Sequence, residues 1–269
     1  MAKQSRQIKA KKPKATSLLS RELARLDREA KERAIFSART TEQGYVDEMQ
    51  DVITRFTDGD IGEAEARKLL TESLERFGYT PEDGFPDAEK VEPARPGTIT
   101  DLSSFGRLNL VVQTNAGMAA SVARLAEETD ATLDLFPAWR FVRFMQPNGE
   151  PRDWAVRWAA AGDAVGWRGA LRDEFVALKD SPIWQALGDG AGGFEDTLHN
   201  PYPPFAFNSG MGWQDVDREE AAELGLDVTV PVRLEKPGLA VTAEEMQYAE
   251  ERYGKAFADS FTADADGMD

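Results

Sequence analysis

Residues 42–78 read EQGYVDEMQDVITRFTDGDIGEAEARKLLTESLERFG, and they set the helical character of the chain. Tyr45, Met49, Val52, Ile53 and Phe56 recur with the period that puts side chains on one face of an α-helix. The spacing predicts a helix over 42–57, with Gly59 as its C-terminal stop. A second apolar stripe, Leu69, Leu70, Leu74 and Phe77, predicts a helix over 63–77 ended by Gly78.

Upstream, residues 1–16 hold Lys3, Arg6, Lys9, Lys11, Lys12 and Lys14 around Pro13 and read as a basic flexible arm. From Ser17 onward, Leu19, Leu23, Leu26 and Ala30 form a narrow seam of heptad type, with Glu29 and Arg33 paired one turn apart. So polar a helix with so narrow a seam calls for a partner helix. Residues 17–78 therefore read as a helical N-terminal region.

Residues 79–100 break the periodicity. Pro81, Pro86, Pro93 and Pro96 stand with Gly84 and Gly97 among charges, so the stretch reads as a linker and a domain boundary. A long helix is expected over 103–128, with Phe105, Leu108, Val112, Met118, Val122 and Leu125 on its apolar face.

The character then changes. WRFVRFM (139–145) is bulky and β-branched and predicts a strand, followed by a turn at Pro147-Asn148-Gly149. Residues 153–161 predict a short helix bearing Trp154 and Trp158, stopped by Gly162. Ser181-Pro182 opens another, and GDGAGG (188–193) is a loop. Asp217 with Glu220 is a capping-box-like start for a helix stopped at Gly225. A last strand is expected over 228–234, then a helix from Thr242 to about Phe257 and an acidic tail over 259–269. The expected fold class is α+β, mostly α. Long helices build the N-terminal region, 101–241 form an α+β domain with a long helix and an aromatic core whose small mixed α/β part lies between 137 and 234, and 242–269 form a C-terminal helix and acidic tail.

The loop that opens residues 200–226, NPYPPFAFNSGMGWQDVDREEAAELGL, interleaves Pro201, Pro203 and Pro204 with Tyr202, Phe205 and Phe207, ahead of Trp213. Proline fixes φ and removes donors, so the run reads as a stiff, shaped loop. It either closes the C-terminal domain or docks it on a partner. All six tryptophans (139, 154, 158, 167, 184 and 213) fall in the C-terminal half and read as an aromatic core.

Charge is unevenly spread. Residues 1–33 carry eleven Lys/Arg against four Asp/Glu, so the remainder of a chain of net charge −16 carries −23. A basic arm on an acidic body suits contact with nucleic acid or an acidic protein surface through the arm alone. The absence of cysteine excludes disulfides, thiol catalysis and zinc–cysteine sites. No run reaches the roughly 20 apolar residues of a membrane span. No apolar stretch follows the basic N-terminus, so no secretory signal is expected.

Candidate chemistry is sparse. His199 is the sole histidine and reads as a loop residue. The glycines at 188, 190, 192 and 193 lack the GxxxxGK[ST] frame of a phosphate loop, and Asp189, Glu195 and Asp196 would repel phosphate. Asp58-Gly59-Asp60 is a calcium loop only in outline, because the bidentate Glu an EF-hand needs is not in place. No cofactor or metal is expected.

Several segments together resemble the bacteriophage and prophage minor head proteins, the head-morphogenesis group that includes the Mu protein F-like proteins. They are KERAIFSARTTEQGYVDEMQ (31–50), ERFGYTPE (75–82), DLSSFGRLNLVVQTNAGMA (101–119), FPAWRFVRF (136–144), EPRDWAVRW (150–158) and residues 178–226. The resemblance spans roughly residues 30–230 and is strongest in its last segment. It relates Arg107, Thr114 and Asn115 to the family's helix signature and Trp139 to its strand tryptophan. The family's terminal His/Cys motif is represented by His199 alone, so no metal-site version of it is possible here.

The resemblance implies a structural virion component in the phage head or neck, not an enzyme, that binds portal or major capsid protein. The expected partner-binding residues are Tyr202, Phe205, Phe207 and Trp213. Lys9, Lys11, Lys12 and Lys14 are the expected contacts to packaged DNA or an acidic surface, without sequence preference. A head-to-tail connector is the alternative of the same class. A hydrolase or transferase using Asp153, Glu195 and Asp196 is the alternative of another class, and it needs a pocket holding a carboxylate of raised pKa.

Overall fold

A computed structural model describes residues 8–9, 11–26, 31, 34–86, 92–145, 151–167, 170–171 and 174–234. The chain is about 44% helix and 13% strand, which makes it an α+β fold with helix dominant. The turn expected at 147–149, the helix over 242–257 and the tail over 259–269 lie outside the described residues.

The first strand, β1 (Lys12–Pro13), pairs in parallel with β2 (Ala34–Ile35), and helix α1 (Ser20–Ala24) lies between them in sequence. Helices α2 (Gln43–Asp58) and α3 (Glu63–Arg76) follow as their stripes predict. Gly59 ends α2 at φ 82°, a left-handed conformation that glycine adopts without a Cβ penalty. Tyr45, Met49, Val52, Ile53, Leu70 and Leu74 are all buried. Gly44 lets the helices approach closely, since a Cβ there would sit 2.6 Å from the Phe77 ring.

Helix α4 (Phe105–Glu127) is capped by Ser104, whose hydroxyl accepts from the Arg107 N–H. Its N-terminal half, with Leu108 and Val112, belongs to one apolar cluster with α2, α3, Ile8, Ile35 and Phe85. Its C-terminal half, with Met118, Val122 and Leu125, belongs to a second cluster with the tryptophans. The division between cores therefore falls within α4, not at residues 79–100. Phe85 within the proline-rich stretch and Leu102 just after it are buried in the first core and anchor the stretch there, while most of its described residues are exposed. Phe105 departs from the expected apolar face: it is exposed and lies under the Arg67 guanidinium at 4.4 Å.

A short helix α5 (Asp130–Leu135) leads to β3 (Ala138–Arg143), the strand expected from WRFVRFM. After α6 (Trp154–Ala164) come β4 (Ala170–Leu171), β5 (Glu174–Leu178), α7 (Ile183–Gly188), β6 (Met211–Val216) and α8 (Arg218–Glu223). Gly162 does not stop α6, which runs on to Ala164. Its missing side chain instead admits the Trp167 carbonyl, 2.3 Å from where a Cβ would be. The strands form an antiparallel sheet in the order β4-β5-β3-β6.

Alternation along the strands sorts the sheet's faces. Trp139, Phe141, Ala177 and Trp213 point into the aromatic core, which α4, α6, α7 and the 200–210 loop cover. Ala138, Val176 and Val216 point the other way and pack on Ala221 and Leu224 of α8. Arg140 ties that second face together, donating to Glu174 and Glu220 at 2.6 and 2.7 Å. The strand expected over 228–234 is absent. The Asp227 carboxylate accepts from the Thr229 N–H, which turns the chain, and Pro231 lacks a ladder donor.

Candidate docking groove

The aromatic loop is built inward. Tyr202 and Phe205 are fully buried, and Trp213, on edge strand β6, is 3% exposed. The Trp213 indole stacks on that of Trp139, and Phe205 meets Phe141 edge-on at 5.4 Å. These three rings lie inside the core and offer no surface to a partner. Of the four residues expected at a contact, only Phe207 is partly exposed. The stiff loop therefore closes the C-terminal unit, as one of its two readings held.

Beside this closure runs an open groove of about 810 Å³. One wall is α4, through Gln113, Gly117, Ala120, Ser121 and Arg124; the other is Pro203, Pro204 and the start of β6. Phe144 and Met145, just past β3, stand at the groove 65% and 51% exposed. Exposed large apolar side chains beside a concave surface suit docking. Gly210, at φ 64°, is required there: a Cβ would lie 2.1 Å from the Met145 carbonyl oxygen. The sequence contained the signal, in the two apolar residues that end the expected strand over 139–145; the strand itself stops at Arg143 and leaves them beyond it. It did not reveal which side of the strand they would face.

A charge network adjoins the groove at Arg124. The Arg124 guanidinium donates to the Trp213 carbonyl at 2.6 Å and pairs with Asp215 at 2.7 Å. Lys179, 2% exposed, places its ammonium 2.5 Å from Glu128 and 3.0 Å from Asp215, over the Trp139 ring. Burial works against the charge on Asp215, but Arg124 and Lys179 outweigh it and hold its carboxyl below the usual range.

Of the three carboxylates considered for acid–base chemistry, Asp153 and Asp196 have other work, and Glu195 is exposed. Asp153 caps α6 by accepting from the Val156 N–H at 3.1 Å. Asp196 is clamped between Arg152 and Arg157; partial burial opposes its charge, yet the two guanidiniums keep its pKa low. A depressed pKa is the reverse of what a general acid at neutral pH requires. His199 sits in a loop at φ 53°, with Nδ1 3.5 Å from Asp189. Among the described residues no group of His, Asp and Glu is placed to hold a metal ion, and no helix is long and apolar enough to cross a membrane.

The described part of the basic arm is docked rather than free. Gln50 on α2 donates to the Ile8 carbonyl at 2.7 Å, Gln43 donates to Pro13, and Ile8 is fully buried. Lys11 is 4% exposed, with its ammonium donating to the Lys31 carbonyl, so it cannot meet DNA. Lys12 and Lys14 are partly buried, and Lys9 alone of the four is exposed, 3.9 Å from Asp58. Backbone pairing with β2 and the two glutamine contacts override the flexibility expected of a lysine-rich segment. Composition does not disclose such pairing.

No protein-family model, curated protein or solved structure matches this chain.

Proposed function

We propose that this chain is a structural component of a phage-type particle, a minor head protein that docks on portal or major capsid subunits through the groove along α4. The resemblance of residues 30–230 supplies the class. The observation that carries the docking site is the open groove with Phe144 and Met145 exposed beside it. The engagement of Asp153 and Asp196 in capping and ion pairing favours this reading over the carboxylate enzyme. Contact with packaged DNA or an acidic surface falls to the basic N-terminal segment, of which Lys9 is the exposed described lysine.

The test has two parts. The full chain is looked for in purified particles, and its copy number measured. The double variant Phe144→Asp/Met145→Asp is then assayed for association with portal and capsid protein. Presence in particles, with association lost in a folded variant, supports the proposal. Absence from particles overturns the class, and unchanged association overturns the groove. A closed ring of identical copies would reassign the chain to the connector.

A further inference from the structure

On another side of α4 lies a smaller cavity of about 80 Å³, between α1, residues 34–38 and the 198–207 loop. Its wall is mainly apolar, with Leu23, Val111, Met118, Leu198 and Phe207 among its residues. Two cations also line it. Lys31 is buried and donates to the carbonyls of Ala24, Leu198 and His199 at 3.1, 2.7 and 3.1 Å. Arg107 is 6% exposed, and its Nη2 donates to Ser37 Oγ at 2.9 Å and to the Ala38 carbonyl at 2.8 Å.

Arg107 is incompletely satisfied. Its Nε is buried without a hydrogen-bond partner, and no carboxylate pairs with it among the described residues. Burial lowers its pKa from the ordinary value, but a guanidinium stays protonated, so a positive charge remains inside the fold. A buried cation without a counter-charge is costly, and so is a buried donor left unmade. Two turns further along α4, Thr114 lines the same cavity, is 8% exposed, and has an Oγ1 with no partner. Two orphaned polar groups in one largely apolar cavity are unlike a finished core, where buried polar atoms are satisfied.

We propose that this cavity binds a carboxylate carried on a short apolar group, with the guanidinium of Arg107 taking the charged end. A single negative charge matches one guanidinium that has no carboxylate partner among the described residues, whereas a phosphate would bring more charge than the apolar wall can solvate. The apolar lining holds the remainder of the ligand, and Thr114 marks the end away from Arg107. A free short-chain acid and a glutamate side chain presented by a partner share this chemistry. The site adjoins the groove on which the proposed function rests, since Thr114 lines both, but Arg107 lines the cavity alone and Phe144 and Met145 the groove alone, so variants at those residues let either fail without the other.

The test titrates the full chain with hexanoate, hexan-1-ol, inorganic phosphate and a capped Ala-Glu-Ala peptide, following the methyl resonance of Met118. Saturable shifts with hexanoate or the peptide, and none with the alcohol or phosphate, support the site. Tighter binding of the peptide assigns a partner's glutamate, and tighter binding of hexanoate a free acid. Arg107→Met should weaken binding at least about tenfold, the loss of one charge-assisted contact, while Arg107→Lys retains part of it. The wild-type titration stands even where Arg107→Met does not fold. No saturable shift with either carboxylate, or equal binding by the alcohol, overturns the proposal.

Discussion

The indole of Trp139 on β3 lies 3.7 Å from that of Trp213 on β6, with the ring planes 10° apart. The two strands are neighbours in the sheet, yet their tryptophans are far apart in sequence, and the stacked pair locks the edge strand β6 onto β3 on the core face. Trp213→Ala should therefore cost about 3–5 kcal/mol, as for other large-to-small core changes. Urea unfolding of the two proteins measures this. A loss below about 1 kcal/mol, the scale of a surface substitution, would place the ring outside the core.

Lys179 sets a second expectation. Its ammonium is the buried cation between Glu128 and Asp215. Lys179→Met leaves Glu128 buried without that partner and should destabilise by about 3–5 kcal/mol. Adding Glu128→Gln should restore part of the loss, because the stranded charge is then gone. A double-mutant cycle in urea reads the coupling, and additive losses would show that the pair is not coupled.

The clamp on Asp196 predicts acid sensitivity. Its folded pKa is depressed, so its contribution is present above the unfolded value of about 3.9 and is lost as pH falls through the folded pKa. Asp215 has the same sign. Asp196→Asn should be less stable than the parent at pH 7, and the gap should narrow as pH falls below about 4. Urea midpoints at pH 7 and pH 3 decide it: a gap that is constant with pH rules out the ionised clamp as the cause.

Ile8 separates a docked arm from a free one. It is fully buried in the first core. Ile8→Ala should cost about 2–5 kcal/mol, whereas a residue in a solvated tail would cost almost nothing. Thermal or urea unfolding distinguishes the two.

Gly188 ends α7 against the backbone of Asn200. A Cβ there would lie 1.8 Å from the Asn200 carbonyl oxygen, and backbone cannot swing aside as a side chain can. Gly188→Ala should destabilise by about 1–3 kcal/mol or more through overpacking. An unchanged urea midpoint would mean that the loop yields freely.

Helix periodicity made α2, α3 and α4 legible, because a 3.6-residue stripe is a local pattern. The cap at Asp217 came from equally local chemistry, whereas the glycine at 162 does not end its helix because its role is a close contact across a loop. Strand β6 was hidden: Gly210 and Gly212 dilute its alternation, and an edge strand needs only one partner to form. For the same reason the aromatic residues of 200–213 could be read as a stiff unit but not assigned an inside or an outside.

By itself the sequence determined the class of the fold, the long helices, the aromatic character of the C-terminal half and the separation of charge, since each is a property of neighbouring residues. Only the tertiary structure decided that Tyr202, Phe205 and Trp213 are buried, that the described lysine arm is pinned by α2 and β2, and that one helix serves two cores. It also decided that Arg107 and Thr114 line one cavity with polar atoms unpaired. Burial and pairing depend on what the rest of the chain brings near a residue, and no local pattern encodes those neighbours.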